Sequence, residues 1–134
     1  MIKGTGIDIV EITRIERLIA KGSTFAEKVF SEKETEYCLA QSKPSESFAG
    51  KFAAKEAFLK AIGTGWRGKI ALNEIEILND DLGKPILALI GRTKAELPDL
   101  ITAILHVTIS HSAQYAVAMV ILEDVIKNEK QIGK

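Results

Sequence analysis

The segment Phe52-Ala53-Ala54-Lys55-Glu56-Ala57-Phe58-Leu59-Lys60 constrains this chain more than any other. Its residues favour a helix, and most of them belong in a core. Pro44 and Ser45 mark where such a helix starts, and Gly63 is placed to end it after Ile62. Helical spacing stacks Glu56 and Lys60 on one face, with apolar Phe52, Ala53 and Leu59 as neighbours. A carboxylate and an ammonium rising from an apolar helix suit a divalent metal and a phosphate. They equally suit an ordinary i, i+4 salt bridge worth roughly 0.2–0.5 kcal/mol. Lys51, Lys55 and Lys60 also read as a solvated helix edge.

A chain of 134 residues suits one domain with a core of its own. We therefore expect a single domain over residues 1–134, with a polar C-terminal tail from about residue 123. Lysine and arginine balance aspartate and glutamate, 18 against 18, so no global charge draws the chain to nucleic acid or an anionic membrane. Cys38 has no second cysteine to pair with, which suits a reducing compartment. No apolar run approaches the roughly 20 residues needed to span a bilayer, and Met1-Ile2-Lys3-Gly4 lacks a signal-peptide apolar block. The expectation is a cytoplasmic protein.

The spacing predicts a strand over residues 5–11 and a helix opened by Thr13-Arg14-Ile15-Glu16, which has capping-box spacing and which Gly22 can end. Thr24-Phe25-Ala26-Glu27 and Ser31-Glu32-Lys33-Glu34 repeat that signal for two short helices, the second reaching about residue 41. Residues 74–79 alternate as a strand, residues 79–84 form a turn, and Pro85 to Ile90 form the partner strand. Residues 92–102 suit a short helix interrupted near Pro98. Residues 104–110 and 115–122 read as two further strands. The fold class is α+β, most simply an antiparallel sheet packed with helices, one of them long and central.

Gly63-Thr64-Gly65-Trp66-Arg67-Gly68-Lys69 fits G-x-x-x-x-G-K, but Ile70 replaces the required hydroxyl residue and the run follows a helix instead of a strand. It reads as a connection, not a nucleotide loop. In Gly6-Ile7-Asp8-Ile9-Val10, alternation puts Asp8 on the face of Val10. That is a costly place for a carboxylate unless something compensates it, or else simply the solvent side of a sheet. Both histidines, His106 and His111, fall in one strand-like segment, with His111 on the apolar face beside Leu105, Val107 and Ile109. Two histidines and one cysteine exclude a His- or Cys-rich zinc site. Arg14, Arg17 and Lys21 share one face of the first helix, as a solvated face or a docking stripe for an acidic partner.

Three motifs in order, Gly6-Ile7-Asp8-Ile9-Val10-Glu11, Phe52-Ala53-Ala54-Lys55-Glu56-Ala57 and Val107-Thr108-Ile109-Ser110-His111-Ser112, resemble the holo-(acyl-carrier-protein) synthases. These form the short branch of the 4′-phosphopantetheinyl transferase superfamily. The Gly83-Lys84-Pro85 turn and the Gly63-Thr64-Gly65 step match too, so the resemblance covers nearly the whole chain. It implies transfer of 4′-phosphopantetheine from coenzyme A to a serine of apo-acyl carrier protein, for fatty acid biosynthesis, with adenosine 3′,5′-bisphosphate released.

By motif position the resemblance makes Asp8 and Glu56 the ligands of Mg²⁺. It places Lys60 near the transferred phosphate, His111 near the coenzyme A phosphates, and Gly63 and Gly65 beside the cofactor. Glu56, Lys60 and His111 would carry the catalysis. Arg14, with Arg17 and Lys21, would meet the carrier protein. The resemblance also implies a homotrimer with sites between subunits. Lys51 stands where related sequences often carry arginine. Two rival functions remain: a module that docks carriers without transferring anything, and a transferase acting on peptide-synthetase carriers. Chain length speaks against the second, because that branch usually has two fused copies of this domain.

Overall fold

The computed structural model describes residues 1–63 and 70–125. Strand β1 (Ile2–Glu11) runs directly into α1 (Ile12–Ala20), followed by α2 (Ser23–Val29), α3 (Glu32–Leu39) and the long α4 (Pro44–Ile62). A 3-10 turn at Leu72–Glu74 leads into β2 (Ile75–Asn79) and β3 (Pro85–Leu89). Then come α5 (Gly91–Glu96), a second 3-10 turn at Pro98–Leu100, β4 (Ala103–His111) and β5 (Tyr115–Asp124). The architecture is α+β. Its strands form two antiparallel sheets instead of one: a three-stranded sheet in the order β1-β5-β4, and the β2-β3 hairpin. Strand β5 runs through Asp124.

Helix α4 is central because it is apolar nearly all round, as a core helix must be. Phe48, Ala53, Ala57, Phe58 and Ala61 are buried. Small residues let it approach the three-stranded sheet closely. A Cβ added to Gly6 would stand 1.9 Å from the Ala57 carbonyl oxygen, and one on Gly4 would stand 2.0 Å from that of Ala61. Further along the same strand pair, the inward positions of β5 include Ala118 and Ala116, both buried and paired with Asp8 and Val10. Glycine and alanine on both partners therefore bring the backbone of β1 against α4.

The hairpin is held differently. Its outer edge, at β2, is buried with no strand beside it, and an unpaired buried edge is costly. Side chains satisfy it. Lys55 Nζ donates to Ile75 O at 2.5 Å and Leu72 O at 2.8 Å, Lys51 Nζ to Ile77 O at 2.5 Å, and Ile77 N donates to Glu34 Oε2 at 2.8 Å. These contacts take the place of a neighbouring strand along the β2 edge. It also corrects the reading of Lys51 and Lys55 as a solvated edge, since their relative exposures are 3% and 0%. Burial pushes both ammonium groups below their ordinary pKa, with Glu34 pulling in the opposite direction.

Of the three expected capping boxes one forms. The Ser31 hydroxyl accepts from Glu34 N and the Glu34 carboxylate accepts from Ser31 N. At Thr13 and Thr24 no such cap exists. Helix α1 starts at Ile12, whose N–H is already used by Gln114 O, and α2 starts behind Gly22. Gly63 ends α4 at φ 87°, a conformation glycine adopts without strain.

Candidate active site

Because Gly6 lies against Ala57, strand alternation turns Asp8 toward the same helix. There Lys60 meets it. Lys60 Nζ is 3.1 Å from Asp8 Oδ1 and donates to Ile7 O at 2.9 Å. The Asp8 side chain is only 17% exposed, against 52% for Lys60. Glu56, half-buried, sits one turn before Lys60 on the same helical row. Among the described residues no ion pair joins Glu56 to Lys60, so the plain i, i+4 bridge is not what this helix makes. Lys60 reaches across to the strand instead. One acid and one base thus face each other across the β1–α4 seam, with a second acid beside them on the helix. Gly63 closes the same end of α4.

His111 stands elsewhere. It ends β4 on the face that packs on α4, and a Cβ on Gly50 would lie 2.8 Å from its Nε2. Ten residues separate Gly50 from Lys60, about 15 Å along the helix axis. His111 lines a cavity of about 260 Å³ with Tyr37, Lys43, Lys51, Asn79, Gly83 and Pro85 among its walls. The cavity opens beside the first turn of α4, where Lys43 and the helix N-terminus favour an anion and the carboxylate of Glu46, also in the wall, opposes one. Within one chain, then, Asp8, Glu56, Lys60 and Gly63 gather at one end of α4, and His111 belongs to a pocket at the other. Gly65 lies outside the described residues, as do positions 64–69 of the G-x-x-x-x-G-K run.

Sequence reasoning overlooked Tyr37 and Asn79 and left Lys51 without a role. The remaining candidates divide clearly. Arg14 and Arg17 on α1 and Lys21 at its C-terminal cap are all exposed, and the Arg14 guanidinium lies 6.0 Å from the centre of the Phe52 ring. Phe52 precedes Glu56 by one helical turn, so the basic stripe borders the Asp8–Lys60 cluster. His106 faces the other side of the sheet and pairs with Glu123 at 2.9 Å. Cys38 is buried, and burial pushes its thiol pKa up, so it is no nucleophile.

Residues 4–120 match the model of the 4′-phosphopantetheinyl transferase superfamily. The chain belongs to that superfamily. The holo-(acyl-carrier-protein) synthase of Geobacter sulfurreducens is 47% identical over 124 residues, covering 92% of this chain and 98% of the relative. That of Halalkalibacterium halodurans is 44% identical over 125 residues, covering 92% and 97%. Among solved structures, the Neisseria meningitidis holo-(acyl-carrier-protein) synthase superposes with a TM-score of 0.83 at 36% identity, covering 92% of this chain and all of that one. The Bacillus anthracis enzyme, solved in complex with CoA (3′,5′-ADP), superposes at 0.77 with 41% identity, covering 93% and 99%.

Proposed function

We propose that this chain transfers 4′-phosphopantetheine from coenzyme A to a serine of apo-acyl carrier protein, in fatty acid biosynthesis; its membership of the 4′-phosphopantetheinyl transferase superfamily and its relatives named holo-(acyl-carrier-protein) synthase support this reading. The observation that carries the residue assignments is the Asp8–Lys60 contact at 3.1 Å, which ties the first sequence motif to the helix that carries the second. The anion-favouring cavity at His111 would take the nucleotide end of coenzyme A. Its diphosphate would then run along α4 toward Lys60.

Asp8 and Glu56 fit Mg²⁺. Both offer only oxygen, and this ion is held by one or two carboxylates together with substrate phosphate and water. Among the described residues no cluster of three or more acidic, histidine or cysteine side chains is disposed to hold a metal, so a fuller protein cage is not in competition. When bound, Mg²⁺ would offset charge on the diphosphate and on the leaving adenosine bisphosphate.

The chain's own residues would do the rest. Lys60 would offset charge on the phosphoryl group in flight. Glu56 would accept the serine proton through a water. The serine oxygen forms the new P–O bond as the bond to the adenosine bisphosphate breaks. The exposed Arg14, Arg17 and Lys21 would receive an acidic carrier helix beside this seam.

Several further properties belong to the same reading: one domain over the chain, a cytoplasmic setting, and a homotrimer with sites between subunits. The trimer is supported by the outer face of the three-stranded sheet, where Ile7 and Ile9 of β1 are 55% and 64% exposed and Met119 of β5 is 40% exposed. The separation of His111 from Lys60 within one chain also leaves room for a neighbour's contribution. No helix among the described residues is long and apolar enough to cross a membrane.

The decisive experiment is intact-mass analysis of apo-carrier protein incubated with coenzyme A, Mg²⁺ and the enzyme, with Glu56→Gln alongside. A carrier gaining phosphopantetheine with the wild type and not with Glu56→Gln supports the reading. Carrier binding without any mass change would favour a non-catalytic docking module.

A further inference from the structure

The Lys51 ammonium has three N–H donors, and the fold supplies three acceptors. Ile77 O is at 2.5 Å, Asn79 Oδ1 at 2.7 Å, and the Tyr37 ring centre at 4.6 Å. These partners come from β2 and α3, while Lys51 itself is on α4. Asn79 extends the link, since its Nδ2 donates to Gly83 O at 3.0 Å. Gly83 holds φ 86° in a turn that Asp80 ties twice more, accepting from Leu82 N and Lys84 N at 2.9 Å each. Tyr37, Lys51, Asn79 and Gly83 all border the cavity that holds His111. The side chain under this cavity is thus buried and its donors are spent within the protein.

We propose that Lys51 is a positioning residue for the nucleotide end of coenzyme A, acting through Asn79 on the Gly83 lip and through the Tyr37 ring on the opposite wall, without touching the ligand. The inference rests on reading this cavity as the coenzyme A site. A lysine suits the task because its donors diverge tetrahedrally toward three partners. Arginine's planar fork matches flat, paired acceptors and would serve this set poorly.

Calorimetric titration of the full chain with adenosine 3′,5′-bisphosphate tests this, with steady-state kinetics in parallel. Lys51→Met should raise Kd and the KM for coenzyme A by about tenfold, the scale expected when one buried hydrogen-bond partner is lost. Turnover at saturating coenzyme A should stay within about twofold, as for an interaction equal in ground and transition states. Asn79→Asp keeps the acceptor for Lys51 and loses the donor to Gly83, so it should weaken binding as Asn79→Leu does. The double variant Lys51→Met/Asn79→Leu should be no worse than the poorer single, since both cut one relay.

Losses that multiply to about a hundredfold would mean independent contacts and overturn the relay. So would Asn79→Asp binding like wild type, a result that does not depend on Lys51→Met folding. If wild-type protein itself binds no adenosine 3′,5′-bisphosphate, both the site reading and this inference fall. Wild-type binding with unaffected variants removes the inference alone.

Discussion

Lys60 Nζ stands 3.1 Å from Asp8 Oδ1 across 52 residues of sequence, and this pairing turns two motifs into one site. Half of the pair is in water, so it adds little to stability, about 0–1 kcal/mol for exposed pairs of this kind. Under the proposed function its worth lies in chemistry. Lys60→Met should therefore melt within a few degrees of wild type and lose roughly 10²-fold or more in turnover, the cost of removing one preorganised charge from a transition state. Thermal melting and the intact-mass assay read the two effects separately. A variant that melts far lower would make Lys60 a structural residue.

The Lys55–Glu34 pair is the opposite case. It is fully buried, at 2.7 Å, and each partner also satisfies the backbone at the edge of the hairpin. Lys55→Met strands the Glu34 carboxylate and the carbonyls of Leu72 and Ile75, and should cost about 3–5 kcal/mol in urea unfolding. Glu34→Gln/Lys55→Met removes both charges and should recover part of that loss. Strict additivity of the two single changes would show that the pair is not coupled.

Glu74 caps α5 from a distance. Its carboxylate accepts from Arg92 N at 3.1 Å, Thr93 N at 3.0 Å and the Thr93 hydroxyl at 2.8 Å. The Thr93 hydroxyl, followed by the Thr93 and Arg92 backbone bonds, holds its pKa below the ordinary 4.5. A carboxylate depressed in the folded state contributes stability above its unfolded pKa and loses it as pH falls through the folded one. Glu74→Ala should thus be destabilised by about 1 kcal/mol near pH 7, as for a lost helix cap. The gap to wild type should close as pH drops below 4.5. Denaturant titrations at pH 7 and at successive acidic values check this, and a gap that stayed constant would rule out the carboxylate as its source.

What was legible in the sequence follows from how local each signal is. Helix α4 runs from Pro44 to Ile62 as expected because its start, stop and apolar run lie within the segment itself. The Ser31 box forms for the same reason. The Thr13 box fails because Ile12 N is already bonded to Gln114 O, a partner about a hundred residues away that no local spacing announces. The two sheets were read as one because β2 finds its edge partners among side chains, not in a strand. At the site, alternation aimed Asp8 correctly, but whether Lys60 would turn to Glu56 or to Asp8 depends on the β1–α4 packing. Lys51 was read as solvated and Asn79 only as the start of a turn, because their contacts exist only once α3, α4 and β2 converge.

Gly6 sets that packing. A Cβ there would meet the Ala57 carbonyl at 1.9 Å and Ala61 N at 2.9 Å, both of them backbone atoms of a buried helix that cannot yield as a flexible side chain can. Gly6→Ala should destabilise by about 3 kcal/mol, the upper end of ordinary overpacking. Because Asp8 lies two residues on, turnover should fall as well, even at temperatures where the variant remains folded. Gly22→Ala meets no neighbouring atom and is strained only by its φ of 138°, so it should leave turnover of the folded protein unchanged.

Arg14 and Arg17 are exposed on α1 and Lys21 at its C-terminal cap, and Arg14 leans on Phe52 one turn from Glu56. A stripe of like charge at the border of a reactive seam should act on encounter with an acidic carrier, and not on coenzyme A. Arg14→Glu and Arg17→Glu should each raise the KM for carrier protein by about tenfold or more at low salt, while the KM for coenzyme A holds. Because exposed charges are screened over about 10 Å at 0.1 M salt, the difference from wild type should shrink as ionic strength rises. Steady-state kinetics across a salt series distinguishes this from a folding defect, which would lower turnover at every salt concentration. Equal rises in both KM values would place the stripe at the coenzyme A site instead of the carrier's.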